Sequence, residues 1–124
     1  MTVGAAGAHG PLDWLAVATA LLFAVNGVDL IAHSETPMLR LAVLGLPRWI
    51  LFLIALTHLG LAALLVSRAT RFWGALGLVL VAAITLGLHV AYREPTAALL
   101  AGGQLVVVLV LLIATRRADR RARA

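Results

Sequence analysis

The sequence predicts an all-α, polytopic membrane protein: four transmembrane helices in an antiparallel up-down bundle, with a short interfacial helix in the first loop. Three observations carry this reading. Hydrophobic residues make up 63% of the chain and charged residues only 12%, whereas a soluble domain is about half apolar and about a quarter charged. Four apolar stretches, at about 14–32, 49–66, 72–91 and 97–114, each reach the length at which a helix crosses the hydrocarbon layer. The turns between the later stretches are short and polar, as antiparallel neighbours require. A length of 124 residues allows one membrane domain, 1–124, and no second.

Residues 1–11 are rich in Gly and Ala, with His9 and no Lys or Arg. A cleavable signal peptide needs a basic start, so the first span reads as a retained helix. Asp13 is placed to cap it. Near its far end Asn26, Asp29 and His33 fall at i, i+3 and i+7, on one face. In the first loop, Thr36-Pro37 reads as a helix start, with Thr as cap and Pro at the first position. MLRLAVLGL follows, and Pro47 ends it. That segment is too short to span and is expected at the interface, with Arg40 reaching water.

The second span, WILFLIALTHLGLAALLV, carries no formal charge and holds His58 near its middle. Imidazole is costly in lipid, so His58 should face other helices and find a hydrogen-bond partner. A basic turn at 67–71 leads to the third span, where Thr85 and His89 form an i, i+4 pair. Tyr92-Arg93-Glu94-Pro95 reads as a polar turn, with Arg93 and Glu94 solvated and Thr96 capping the next helix. The fourth span holds Gly102, Gly103 and Gln104, and the tail 115–124 reads as a basic, frayed helical extension. Glycines at 74, 77, 102 and 103 allow helices to approach closely.

The basic residues are ten arginines and no lysine, which with abundant Ala, Gly, Leu and Val points to a bacterial chain of high GC coding content. With four spans, the N-terminus, the 67–71 turn and the tail share one side, which has seven arginines (68, 71, 116, 117, 120, 121 and 123). The other side has three, Arg40, Arg48 and Arg93. The positive-inside rule then puts both termini in the cytoplasm of a multi-pass inner-membrane protein. Trp49 and Tyr92 fall near the outer interface, Trp14 and Trp73 near the inner one. A net charge of +5 concentrated in the tail favours anionic lipid headgroups as a partner over nucleic acid, since no folded basic face exists outside the tail. Cysteine is absent, which removes disulfides and thiolate chemistry.

At about 1.5 Å of rise per residue, Asn26, His58, Thr85 and Gln104 lie roughly 9–14 Å below the outer surface, one on each span. Asp29, His33 and His89 lie nearer the outside, and the inner half is almost entirely Leu, Ala, Val and Ile. The expected site is therefore an outward-facing polar pocket lined by Asn26, Asp29, His58, Thr85, His89 and Gln104. A buried carboxylate should be paired, so Asp29–His58 and Asp29–His89 are the natural pairings. Gln104 is expected to join helices by a hydrogen bond. No H-x-x-x-H or H-E-x-x-H spacing is present, which argues against a metal. His58 and His89 differ in depth by about 10 Å, which argues against a shared haem. No ordered nucleophile, base and acid appear, so no independent catalytic activity is expected. A histidine near a carboxylate can relay protons or contact a bound quinone or lipid.

FAVNGVDLI (23–31), LPRWILFLIALTHLGLAALLV (46–66), WGALGLVLVAAITLGLHVAYREP (73–95) and the closing apolar span together resemble the DoxX-like family of small four-helix membrane proteins. The likeness includes a Gly-x-x-Leu ending the first span, a longer first loop and a Pro before the second span. It implies a four-helix membrane fold and links to quinone-coupled sulfur oxidation, membrane oxidoreductase complexes or chaperoning of other membrane proteins. Two positions depart from the family pattern. Asp29 stands where relatives carry Lys, and His58 where they carry Glu, so an acid–base pair there would have its roles exchanged.

Three functions follow as expectations. The first is a pocket that binds a quinone or lipid-like molecule, or a subunit that docks onto a membrane redox complex. The second is a small proton-coupled transporter subunit resembling small multidrug exporters. Those work as dimers and carry a membrane-embedded Glu in the first span, where this chain has only Asp29 near the end. The third is a structural or assembly subunit, within a homodimer or a larger complex.

Overall fold

The computed structural model describes residues 10–124, so the expectations for the Gly/Ala-rich start and His9 lie outside the described residues. Five helices follow: α1 (Pro11–Ala32), α2 (Glu35–Val43), α3 (Trp49–Val66), α4 (Arg71–Ala91) and α5 (Pro95–Arg123). Four of them are long and apolar enough to cross a membrane; α2 is not. No strand occurs among the described residues.

α3 packs along α1 and α4, α5 packs along α4, and a lighter α1–α5 contact closes the ring. Connections of four residues (67–70) and three residues (92–94) force α3, α4 and α5 to alternate in direction. α2 touches chiefly α3 and buries none of its residues. Lipid-facing positions are filled by exposed Leu, Val and Ile on every long helix, as expected where lipid replaces water as the solvent.

Small residues set the helix spacing. At Gly74 an added Cβ would lie 2.9 Å from the Leu61 carbonyl oxygen and 2.9 Å from the Leu64 Cβ, so α3 and α4 meet there backbone to side chain. Ala16, Ala20, Ala62, Ala75 and Ala82 extend this close packing, with Phe23, Leu65, Leu78, Val108 and Leu111 filling the space between. That core occupies the half of the bundle nearer the α1 start, the 67–70 turn and the tail.

Several helix ends differ from expectation. Gly10 is the N-cap of α1, and Asp13, three residues inside, accepts from the Gly10 backbone N–H at 3.1 Å. Asp13 therefore performs the return half of a capping box. α2 starts from Ser34, which puts Pro37 in the first turn with Thr36 inside the helix. α2 stops at Gly45, whose φ of +72° is left-handed, with Leu46 N–H reaching the Leu41 carbonyl at 2.9 Å and Gly45 N–H the Ala42 carbonyl at 3.0 Å. Glu94, not Thr96, is the N-cap of α5, with Pro95 at the first position. The tail is no frayed extension: α5 runs unbroken to Arg123.

At the same end as the tail, Arg71 is almost fully buried. Its Nη1 donates to Asp13 Oδ1 at 2.9 Å and its Nε to the Leu65 carbonyl at 2.9 Å. Thr70 Oγ1 donates to the Leu64 carbonyl at 2.8 Å. These donors satisfy carbonyls that the end of α3 leaves without helical partners. Arg68 adds a second guanidinium to Asp13, Nη2 to Oδ2 at 2.7 Å, and this hydrogen bond raises the Arg68 pKa above its ordinary value. The turn read as simply basic is thus a clamp joining α1, α3 and α4.

Candidate functional site

The apolar core stops at Phe23 and Ala82. Beyond them, toward the end holding α2 and the 92–94 turn, lies a cavity of about 440 Å³. Phe23 and Ala82 form its floor, Leu51, Ile54, Leu100 and Ala101 are among its walls, and Pro37, Arg40 and Leu41 of α2 with Leu44 just after it border it from above. All six residues singled out from the sequence, Asn26, Asp29, His58, Thr85, His89 and Gln104, line it. Among the described residues no group of three His, Asp or Glu is placed to hold a metal ion.

The pairings within this set differ from those expected. Asn26 Nδ2 donates to Gln104 Oε1 at 3.1 Å, joining α1 to α5 at one depth. Gln104 is the interhelical amide anticipated, and Asn26 is its partner. Each amide keeps further hydrogen-bonding capacity, since a primary amide carries two donors and two acceptor lone pairs.

His58 is 6% exposed and sits over Phe23, ring centroids 6.1 Å apart. Its Nδ1 lies 2.8 Å from the Ile54 carbonyl oxygen. A carbonyl only accepts, so Nδ1 carries the proton, and Nε2 of the neutral ring is an acceptor. His58 therefore faces the bundle, as lipid exclusion demands, and its partner is its own helix.

Asp29 pairs with neither His58 nor His89. His33 Nδ1 donates to Asp29 Oδ1 at 2.7 Å, one turn along α1, and the Asp29 side chain is 66% exposed. The reason is azimuthal: four residues on α1 bring His33 onto the same outer edge, whereas His58 lies against the inner face near Gly27. His89 instead donates from Nδ1 to Glu94 Oε2 at 3.1 Å. Thr85 Oγ1 donates to the Val81 carbonyl at 2.8 Å, four residues back, and makes no cross-helix bond.

Two further charged residues belong to the mouth. Arg40 of α2 pairs with Glu94, and its guanidinium sits 5.4 Å from the centroid of the Tyr92 ring. The expectation that Glu94 is simply solvated is thus corrected: it is 28% exposed and tied to Arg40, which at 35% still reaches the surface. The Arg40 hydrogen bond, more than that of His89, holds the Glu94 carboxyl below the usual glutamate range. Nothing in the sequence alone pairs these two residues, which lie 54 positions apart. No protein-family model, curated protein or solved structure matches the chain.

Proposed function

We propose that the chain is a multi-pass inner-membrane protein, both termini cytoplasmic, that holds a quinone or lipid-like molecule in its outer cavity. It has no catalytic activity of its own and serves beside a membrane redox complex. The observation that carries this reading is a cavity of about 440 Å³ with mainly apolar walls, into which His58 and the Asn26–Gln104 pair converge below a polar mouth of Asp29, Arg40 and His89. Small-molecule sites are concave, largely apolar and within roughly 300–1,000 Å³, with a few converging polar groups that fix orientation. Here those groups are His58 and the Asn26–Gln104 amide pair. The amide hydrogens suit a quinone carbonyl, and Nε2 of His58 suits a quinol hydroxyl, so both redox forms find partners. The resemblance to DoxX-like proteins supports the same class of ligand.

Proton-coupled transport fits less well. The acid of the first span, Asp29, is at the cavity's edge, 66% exposed and paired with His33, and is not enclosed as a proton-coupling carboxylate within the membrane would be. A structural subunit remains the rival that the test separates.

The test is calorimetric titration of the purified full chain with a short-tail ubiquinone in mild detergent. Saturable binding is expected, weakened about tenfold by H58L, the loss of roughly one good hydrogen bond. A101F, which fills the wall beside the amide pair, should abolish it. Binding that neither substitution alters overturns the proposal. Absence of saturable binding, with N26A/Q104A lowering only the melting temperature, assigns these groups to packing.

A further inference from the structure

A second concave site lies at the opposite end of the bundle and is independent of the outer cavity. It is a cleft of about 390 Å³ between the start of α4 and the tail of α5. Phe72 and Trp73 form one side, their rings edge to face at 5.3 Å. Arg116, Arg120 and Arg123 form the other, with Asp119 beside them. The spacing of 116, 120 and 123 is i, i+4 and i+7, so an unbroken helix puts all three guanidiniums on one face. Had the tail frayed after 114, this alignment would not exist.

The charge balance of the cleft is three cations against one carboxylate. The chain's other acids are Asp13, Asp29, Glu35 and Glu94. Asp13 is held by Arg68 and Arg71, Asp29 by His33, and Glu94 by Arg40 and His89. Glu35 lies in α2 at the far end. Residues 1–9 contain no Asp or Glu. Among the described residues no ion pair engages Arg116, Arg120 or Arg123, so their excess charge calls for an external anion.

Depth selects the anion. Twenty residues of α5 from Pro95 span the hydrocarbon, at about 1.5 Å each. Arg116 and Arg120 then fall in the first roughly 10 Å beyond it, the headgroup zone. Trp73, in the first turn of α4, lies at the same level and is exposed, as an interfacial aromatic is. We propose that this cleft binds the phosphate of an anionic phospholipid between Arg116, Arg120 and Arg123, with the lipid's glycerol and upper acyl chains against Trp73.

The experiment compares binding of dioleoylphosphatidylglycerol and dioleoylphosphatidylcholine to the delipidated full chain by native mass spectrometry. Phosphatidylglycerol should be preferred, and R116Q/R120Q should weaken it about 25-fold, at roughly fivefold per arginine near an anionic lipid. R117Q/R121Q removes the same charge at nearly the same depth from outside the cleft and should change binding less than about twofold. W73A should weaken retention of both lipids. Inorganic phosphate at about 10 mM should not displace the lipid; displacement would make free phosphate the ligand and overturn the lipid assignment. Equal losses in the two double variants would show a diffuse basic surface with no site. All four arginines are exposed, so unchanged melting temperatures are expected to accompany these differences.

Discussion

Thr19, Thr57 and Thr85 each return their hydroxyl to the carbonyl four residues back, at 2.7–2.8 Å. Thr115 does not. Its Oγ1 is buried with no hydrogen-bond partner among the described residues, and a buried hydroxyl without a partner costs about 1–3 kcal/mol. Thr115→Val keeps the shape and removes the cost. Its melting temperature in detergent should equal or exceed that of the wild type, and a clear fall would reveal a partner for the hydroxyl. Gly74 presents the opposite case. Alanine there places a methyl 2.9 Å from backbone oxygen and side-chain carbon of α3, and that neighbour cannot move without separating two helices. Gly74→Ala should destabilise by about 1–3 kcal/mol, as overpacking does. Gly102→Ala, where nothing lies within 4 Å, should be neutral; the pair of unfolding curves decides whether close approach or glycine itself matters.

The element with the least to hold it is α2. It buries no residue, and its anchors are the Arg40–Glu94 pair, the Arg40–Tyr92 contact and Arg48 Nη2 donating to Met38 Sδ at 3.4 Å. Because Pro37, Arg40, Leu41 and Leu44 border the cavity, release of α2 uncovers it. Glu94 titrates below its ordinary value when α2 is docked. The docked state therefore gains its full electrostatic contribution above the ordinary glutamate pKa of about 4.3. That contribution is lost as pH falls through the lower, docked value. A nitroxide on L39C should report a mobile helix at low pH and an immobile one at neutral pH. E94Q should be mobile at neutral pH already, by a few-fold in population, the scale of a partly exposed ion pair. A spectrum unchanged by E94Q would mean that packing against α3 alone seats the helix.

At the scale of the whole molecule, depth was legible in the sequence and azimuth was not. Counting helical rise put Asn26, His58, Thr85 and Gln104 at one level, and the cavity gathers all four. Counting rise could not say that Asp29 turns outward to His33, or that His58 spends its Nδ1 proton on Ile54. Those depend on how each helix is rotated about its axis, which small residues such as Gly27 and Gly74 decide through contacts with partners far along the chain. The Arg40–Glu94 and Arg71–Asp13 pairs were hidden for the same reason, joining residues 54 and 58 positions apart. Orientation in the membrane is a different kind of property, because it follows from charge asymmetry and leaves the internal contacts unchanged. Seven arginines flank one end and three the other, so the tail end should face the cytoplasm. The chain has no cysteine, which makes single-cysteine labelling clean. On intact spheroplasts an impermeant maleimide should label S34C and leave S67C and A124C unreacted until the cells are broken. Replacing the five tail arginines with Gln leaves two against three and removes the bias. S34C and S67C in that background should each become partly labelled, whereas unchanged labelling would mean that the first span, or Arg68 and Arg71 alone, fixes the orientation.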